Sequence, residues 1–447
     1  MTDRTPPRLS LRTIGRVPVT ARPLVDPRDL DAGILHLGLG SFHRAHQAVY
    51  TEEAIAITGD RRWGIIGAGM RSRDVVDRLA AQDGLFGVLV RDGRGETIRV
   101  HGVLRGMTHG AGLIPYVADP KIKIITITVT EKGYRPGRHM VSWLVAGLAR
   151  RRAAGGAPLT VLSCDNIPHN GTVVHDAVIA AATADPEHGP GLPEWIEAHV
   201  AFPSSMVDRL VPAPTPADLA EASRLLGVTD RAAVATEPFR QWVIEDRFAA
   251  DRPAWEKAGA LIVPDVTPYE LMKLRLLNGS HSLIAYLGLL RGYATIAETV
   301  ARDDVAAAVR GLMDDDITPG LQVPPGFDLR AYKRRLLERF TNPALRHRTT
   351  QVASDGSLKL PLRLLPVIEE RLAAGAVPKW AALAVAAWMK WVTIAPSLDD
   401  PIAATLKEAV AHTSTPRTVV AALLPLLTDT PSPPVAELLT ARLTTLP

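Results

Sequence analysis

Four groups able to move protons or bind oxygen sit close together in Tyr269-Glu270-Leu271-Met272-Lys273-Leu274-Arg275-Leu276-Leu277-Asn278-Gly279-Ser280-His281-Ser282. At about 100° per residue on an α-helix, Glu270 lies about 60°, His281 about 80° and Asn278 about 140° from Lys273, so all four share one side. The surrounding sequence is leucine-rich, and burying such polar groups is costly unless they pair or work. A solvated helix face is the competing reading. Against it, a mid-helix glycine such as Gly279 costs about 1 kcal/mol relative to alanine unless something packs closely on it. One reaction has a use for each group: a secondary alcohol loses its hydroxyl proton while its carbon gives up a hydride. A buried lysine with a lowered pKa can take the proton near neutral pH. Carboxamides can donate to the oxygen as alkoxide character develops, a task that metal ions perform in other dehydrogenases. Asn166, in Ser163-Cys164-Asp165-Asn166-Ile167-Pro168-His169-Asn170-Gly171, follows a strand end and is a second donor of this kind. Asn170-Gly171 itself reads only as a turn.

A hydride needs an acceptor, and Ile34-Leu35-His36-Leu37-Gly38-Leu39-Gly40-Ser41-Phe42-His43-Arg44 is an apolar strand running through Gly-x-Gly into a helix. In a dinucleotide fold Gly38 permits the tight turn. Gly40 lets the backbone approach a pyrophosphate lodged at the helix N-terminus. The usual third glycine is missing, and His43 stands in its place. Ser41, Phe42, His43 and Arg44 are taken with the glycines as cofactor-facing. A strand-to-helix turn that needs glycine for geometry alone would read the same way. After the second strand, Gly67-Ala68-Gly69-Met70-Arg71-Ser72-Arg73-Asp74 offers Asp74 for the ribose hydroxyls, and Arg71 and Arg73 for a 2′-phosphate. NAD is the expected cofactor, with NADP left open. His43 and His46 are spaced like metal ligands, but no third ligand and no H-E-x-x-H accompany them, so no metal is expected.

The elements that position these groups fall into two kinds. Strand-like runs at Ile34–Gly38, Trp63–Gly67, Phe86–Val90, Ile122–Val129 and Leu159–Ser163 alternate with helical patterns such as Ala45–Ile57 and Arg73–Ala81. That alternation predicts a doubly wound, Rossmann-type α/β domain. After Val266 the pattern turns helical, over Tyr269–Leu290, Ile296–Met313, Leu329–Phe340, Leu360–Ala374 and Trp380–Trp391. Pro264 and Pro268 bracket the change, so residues 1–266 are expected to form the cofactor domain and 267–447 a mostly α-helical one. A cleft between them is the default ligand site.

Composition narrows the partners. The chain has 447 residues, too many for one compact core, and 47% hydrophobic with 22% charged residues speaks for globular domains. With 51 basic against 47 acidic residues spread along the chain, no basic stripe for nucleic acid emerges. The longest apolar run, Trp380–Met389, is half the roughly 20 residues a bilayer span requires and reads as a buried helix. No secretory signal is evident, so a cytoplasmic enzyme is expected, monomeric or a small homo-oligomer. Cys164 is the single cysteine, which excludes an internal disulfide.

Seven collinear stretches identify a resemblance: GLGSFHRAHQ from Gly38, TVTEKGY from Thr128, SCDNIPHNG from Ser163, FPSSMVDRLVPAPTP from Phe202, EPFRQWVIED from Glu237, MKLRLLNGSH from Met272 and DGSLKLPLR from Asp355. Along nearly its whole length the chain resembles the mannitol dehydrogenase family of long-chain polyol-specific dehydrogenases. The resemblance implies Lys273 as general base, Asn166 and Asn278 as the oxyanion pair, His281 at the substrate and Glu270 on a proton path. It also implies Thr130, Glu131, Lys132, Val207 and Asp208 near the cofactor, and Lys359, Gln351 and Arg348 near the substrate. The family fold is a Rossmann-type domain with a helical C-terminal domain, without metal. Gln351 stands eight residues before Lys359, where polyol enzymes tend to carry arginine. With the text around Arg346-His347-Arg348, this points to the fructuronate reductases, which interconvert mannonate and fructuronate. Mannitol with fructose comes next, and a silent sugar or nucleotide sensor is the reading from another class.

Overall fold

The computed structural model describes residues 6–130, 133–134, 139–184 and 189–446, and the chain divides into two compact units, Met1–Val266 and Thr267–Pro447. The strands of the first unit are β1 (Ala32–Leu37), β2 (Gly64–Gly69), β3 (Phe86–Arg91), β4 (Glu96–His101), β5 (Leu104–His109), β6 (Ile124–Ile127), β7 (Leu159–Ser163), β8 (Val200–Ala201), β9 (Ser205–Asp208), β10 (Val234–Thr236), β11 (Gln241–Glu245) and β12 (Leu261–Val263). Six of them form one parallel sheet in the order β5-β2-β1-β6-β7-β8. Counting only the strands of this sheet, that is the 3-2-1-4-5-6 order of a dinucleotide-binding fold.

Alternation along the strands explains why the central runs are almost wholly apolar. Ile34, Ile65, Ile124 and Leu162 enter the core on one face, while Leu35, Ile66, Ile125 and Val161 enter the core on the other. Both faces are covered, so neither set of side chains is polar. β3 and β4 make an antiparallel hairpin joined by β10, and β9, β11 and β12 make a third small sheet. Sequence patterning misses β4, β5 and β8 to β12. These are short or carry polar residues, and packing rather than periodicity makes them strands. The expected helix Ala45–Ile57 is two, Ser41–Ala45 and Gln47–Thr58, broken at His46 (φ −125°, ψ −87°), whose Nε2 bonds to the Gln241 carbonyl.

The second unit contains no strand among its described residues. Helices Thr267–Met272 and Ser280–Leu290 are joined without interruption by a π-helical segment, Lys273–Gly279. Helix Ser280–Leu290 packs on Lys379–Ile394, which in turn packs on Pro433–Thr445. The run Trp380–Met389 is the buried core of the middle helix, where Ala381, Ala382, Ala384, Ala386 and Ala387 allow close approach. Among the described residues no helix is long and apolar enough to cross a membrane.

Candidate active site

In the first unit a crevice of about 610 Å³ opens at the carboxyl ends of β1, β2 and β6, lined by Gly38, Leu39, Gly40, Gly69, Arg71 and Thr128 among others. This is the point where strand order reverses, the place a dinucleotide takes in such sheets. Gly38 has φ +97°, and a Cβ there would lie 2.1 Å from the Thr128 carbonyl oxygen. Only glycine fits. A Cβ on Gly40 would meet no protein atom closer than 3.6 Å, so its outer side is open to a ligand, and Gly40 is the N-cap of helix Ser41–Ala45. The residues present therefore fit a bound dinucleotide. Arg71, Ser72, Asp74 and Arg78 border the far end of the same crevice.

The residues after the glycines do not all face it. Phe42 is half-buried and stacks on His46 at 5.0 Å between ring centres. His43 is fully buried, stacked on His36 at 3.4 Å, and its ring nitrogens make no well-formed hydrogen bond among the described residues. Arg44 is buried and donates to the Ala232 and Gly40 carbonyls. Burial drives the pKa of His36 and His46 down to about 3 and that of His43 well below its usual value. His43 and Arg44 thus support the turn from below. Thr130 borders the crevice in a left-handed conformation (φ +70°), whereas Glu131 and Lys132 lie outside the described residues. Val207 and Asp208 are buried on β9.

Asn166 is exposed, three residues beyond the end of β7. Asn170-Gly171, expected as a mere turn, instead begins helix Asn170–Ala184. The buried Asn170 side chain donates to the Asp165 carbonyl at 2.9 Å and the Ser205 carbonyl at 2.7 Å, and accepts from the Ser205 N–H at 2.9 Å. A Cβ on Gly171 would fall 2.6 Å from the Phe202 carbonyl, so glycine here permits close packing of the helix on the chain entering β9.

In the second unit Lys273 is buried, 8% exposed, and opens the π segment, with Glu270 half-buried one turn earlier. The π ladder corrects the regular 100° spacing assumed from sequence, because each turn between Lys273 and Gly279 is wider. Such segments are uncommon and concentrate at functional sites. Contacts from elsewhere hold it. Arg275 forms a two-pronged ion pair with Glu370 at 2.7 and 2.6 Å. Leu364 packs where a Gly279 Cβ would be, 3.1 Å away, which is the close packing that the mid-helix glycine implied. The Asn278 carbonyl accepts from Ser282 Oγ at 3.2 Å and from Arg363 Nη1 at 3.3 Å.

His281 follows, half-buried, its ring 4.7 Å from Phe340 and 5.3 Å from His347. Burial lowers its pKa well below the usual value, and His347, Arg339 and Arg363 add to the effect. His347 is lowered likewise by burial, then by Arg339 and Lys359. Lys359, half-buried, donates to Ser354 Oγ at 3.1 Å and lies 3.7 Å from Asp355, while burial and Arg363 lower its pKa. The fields of Arg339 and Arg363 thus reach His281 and those of Arg339 and Lys359 reach His347, and each adds to burial in favouring the neutral imidazole. Gln351 and Arg348 are exposed nearby in sequence. Sequence reasoning singled out neither Arg339 nor Arg363. The available signal was the i, i+4 spacing of Lys359 and Arg363 on one helix face. Among the described residues no three His, Cys, Asp or Glu side chains gather so as to hold a metal ion.

Residues 32–257 match the mannitol dehydrogenase Rossmann domain family, and residues 265–428 match the mannitol dehydrogenase C-terminal domain family. The chain is 42% identical over 402 residues to the D-mannonate oxidoreductase of Escherichia coli strain K12, covering 83% of this chain and 82% of that one. It is 38% identical over 398 residues to a mannitol 2-dehydrogenase of Cereibacter sphaeroides, covering 83% of each. The solved ternary complex of Pseudomonas fluorescens mannitol 2-dehydrogenase with NAD and D-mannitol resembles it with a TM-score of 0.84 at 36% identity, over 98% of this chain and 96% of that one.

Proposed function

The chain belongs to the mannitol dehydrogenase family of oxidoreductases, and on that premise we propose that it interconverts an open-chain keto sugar acid and the corresponding aldonate, of the D-fructuronate and D-mannonate type, using NAD(H). The carrying observation is the setting of His281: its ring lies 5.3 Å from that of His347, Arg339 and Arg363 act on His281, and Arg339 and Lys359 act on His347. Even with Asp355 3.7 Å from Lys359, cations outnumber acids there, as suits a carboxylate better than a neutral polyol. The identity to a D-mannonate oxidoreductase supports the same choice.

The dinucleotide supplies or accepts the hydride. The chain's own residues handle the proton and the oxygen. In the oxidative direction Lys273, as free amine, takes the hydroxyl proton, and the Asn278 and Asn166 carboxamides donate to the oxygen as negative charge grows. At 8% exposure Lys273 sits where bulk water is largely excluded from the proton transfer. Glu270, one turn before it, carries the proton onward to solvent. Lys359 and His281 bind the sugar acid, with Gln351 and Arg348 at its far end. In the crevice of the first unit, Gly38 and Gly40 hold the pyrophosphate and Thr128 to Thr130 form the wall beside it.

Initial rates with D-fructuronate, D-tagaturonate and D-fructose, each with NADH and NADPH, test the assignment. The keto acids are expected to give the higher kcat/KM, with NADH preferred. Fructose outrunning both keto acids would favour the mannitol 2-dehydrogenase reading, which the resemblance to the NAD and D-mannitol complex supports. Oxidation of neither cofactor with any ketone would favour a sensor.

A further inference from the structure

We propose that Asp165 is a positioning residue for the reaction: its carboxylate clamps the wall of the cofactor crevice at Val129-Thr130 to the loop that presents Asn166. The side chain is 7% exposed. Its Oδ1 accepts from the Thr130 N–H at 2.8 Å, and its Oδ2 accepts from the Val129 N–H at 3.1 Å and from the Tyr134 hydroxyl at 2.5 Å. Tyr134 also lies 2.9 Å from Ser163 Oγ at the end of β7. All three partners of the carboxylate are donors, so the site demands two acceptor oxygens and rejects an amide. Tyr134 stays a donor across the working pH range, because burial and the Asp165 charge push its pKa well above the usual phenol value.

Two features show that the clamp determines the local geometry. Thr130 is β-branched yet sits at φ +70°, a conformation that costs about 1–3 kcal/mol and persists only where surroundings impose it. The backbone of Asp165 faces the other way. Its carbonyl accepts from the Ile167 N–H at 2.9 Å and from Asn170 Nδ2 at 2.9 Å, and Asn170 is tied to Ser205 at the start of β9. One residue therefore fixes the crevice wall through its side chain and the Asn166 loop through its main chain. A shift at either end moves the other.

The inference rests on the proposed reading in that the crevice holds a nicotinamide dinucleotide. The test is Asp165→Asn, with NADH affinity measured by fluorescence titration alongside steady-state rates and melting temperature. The variant is expected to weaken NADH binding and to lower kcat by about tenfold each, the scale of one lost charge-assisted hydrogen bond. The KM for the sugar should stay within about twofold, because no group binding its far end has moved. Tyr134→Phe should show a smaller loss of the same kind, and the double variant should be no worse than Asp165→Asn, since both act through one contact. A folded Asp165→Asn protein with native NADH affinity and native kcat overturns the inference and leaves the proposed function standing. Additive effects of the two substitutions also overturn it. Should Asp165→Asn not fold, Tyr134→Phe decides alone, and an unchanged NADH affinity there counts against the clamp. A native protein that binds neither NADH nor NADPH overturns both readings together.

Discussion

Lys273 is 8% exposed and opens the π segment that also carries Asn278, and it is the residue proposed above as the general base. Lys273→Ala is expected to lower kcat by about 10²- to 10⁴-fold, the usual contribution of a positioned base, with NADH affinity within about twofold of native. Stopped-flow rates and a binding titration separate the two, and near-native turnover would remove the lysine from its role. Lys359 is the residue proposed to recognise the sugar acid. Lys359→Met should reduce kcat/KM for a keto acid by about tenfold and for fructose by much less, because only the acid offers a charge to pair with. Equal losses on both substrates would argue for a packing role. At this scale Lys273, Asn278 and His281 are legible in sequence because polar groups inside a leucine-rich helix need a reason. Asp165 carries no such mark, since the partners of its carboxylate, Val129, Thr130 and Tyr134, lie far back along the chain.

At the level of elements, two turns carry most of the consequence. The β1-to-helix turn works only with glycine at position 38, so Gly38→Ala, forced against the Thr128 carbonyl at φ +97°, should weaken NADH binding by more than about tenfold. Unchanged affinity in a titration would show that the crevice is not the dinucleotide site. In the second unit, a further π segment, Leu312–Ile317, delivers the buried Asp316 to the open end of helix Lys379–Ile394, where it accepts from the Trp380 N–H at 2.7 Å and the Ala381 N–H at 2.8 Å. Removing this remote cap, as in Asp316→Ala, should cost about 1–3 kcal/mol in urea unfolding. The cap escapes sequence analysis because its donors sit more than sixty residues away. β1, β2, β6 and β7 do not escape it, as each is an apolar run covered on both faces.

Over the whole molecule, buried histidines set an acid limit. Unfolded, each imidazole takes a proton near pH 6.5, while in the folded chain burial holds His36 and His46 at about 3 and His43 well below its usual value. Below pH 6.5 the unfolded chain binds more protons, so stability is complete above that pH and falls as the pH drops toward 3. Each histidine contributes at most about 1.4 kcal/mol per pH unit. Calorimetry between pH 7 and 5 should show a steadily falling melting temperature, with a shallower slope in His46→Gln. A flat profile would mean the imidazoles accept protons without unfolding.

The amino-acid sequence by itself determined the alternation of apolar strands and helices, the glycine turn and the grouping of lysine, asparagine and histidine in one short segment. Each follows from neighbours a few residues apart, where periodicity and glycine geometry act. The tertiary structure decided the phase of the hydrogen-bond ladder that aims those groups. Nothing within Lys273–Gly279 favours a π turn over an α turn. The wider turn is held by Glu370 on Arg275, Leu364 against Gly279 and Arg363 at the Asn278 carbonyl, all contributed from more than eighty residues further along.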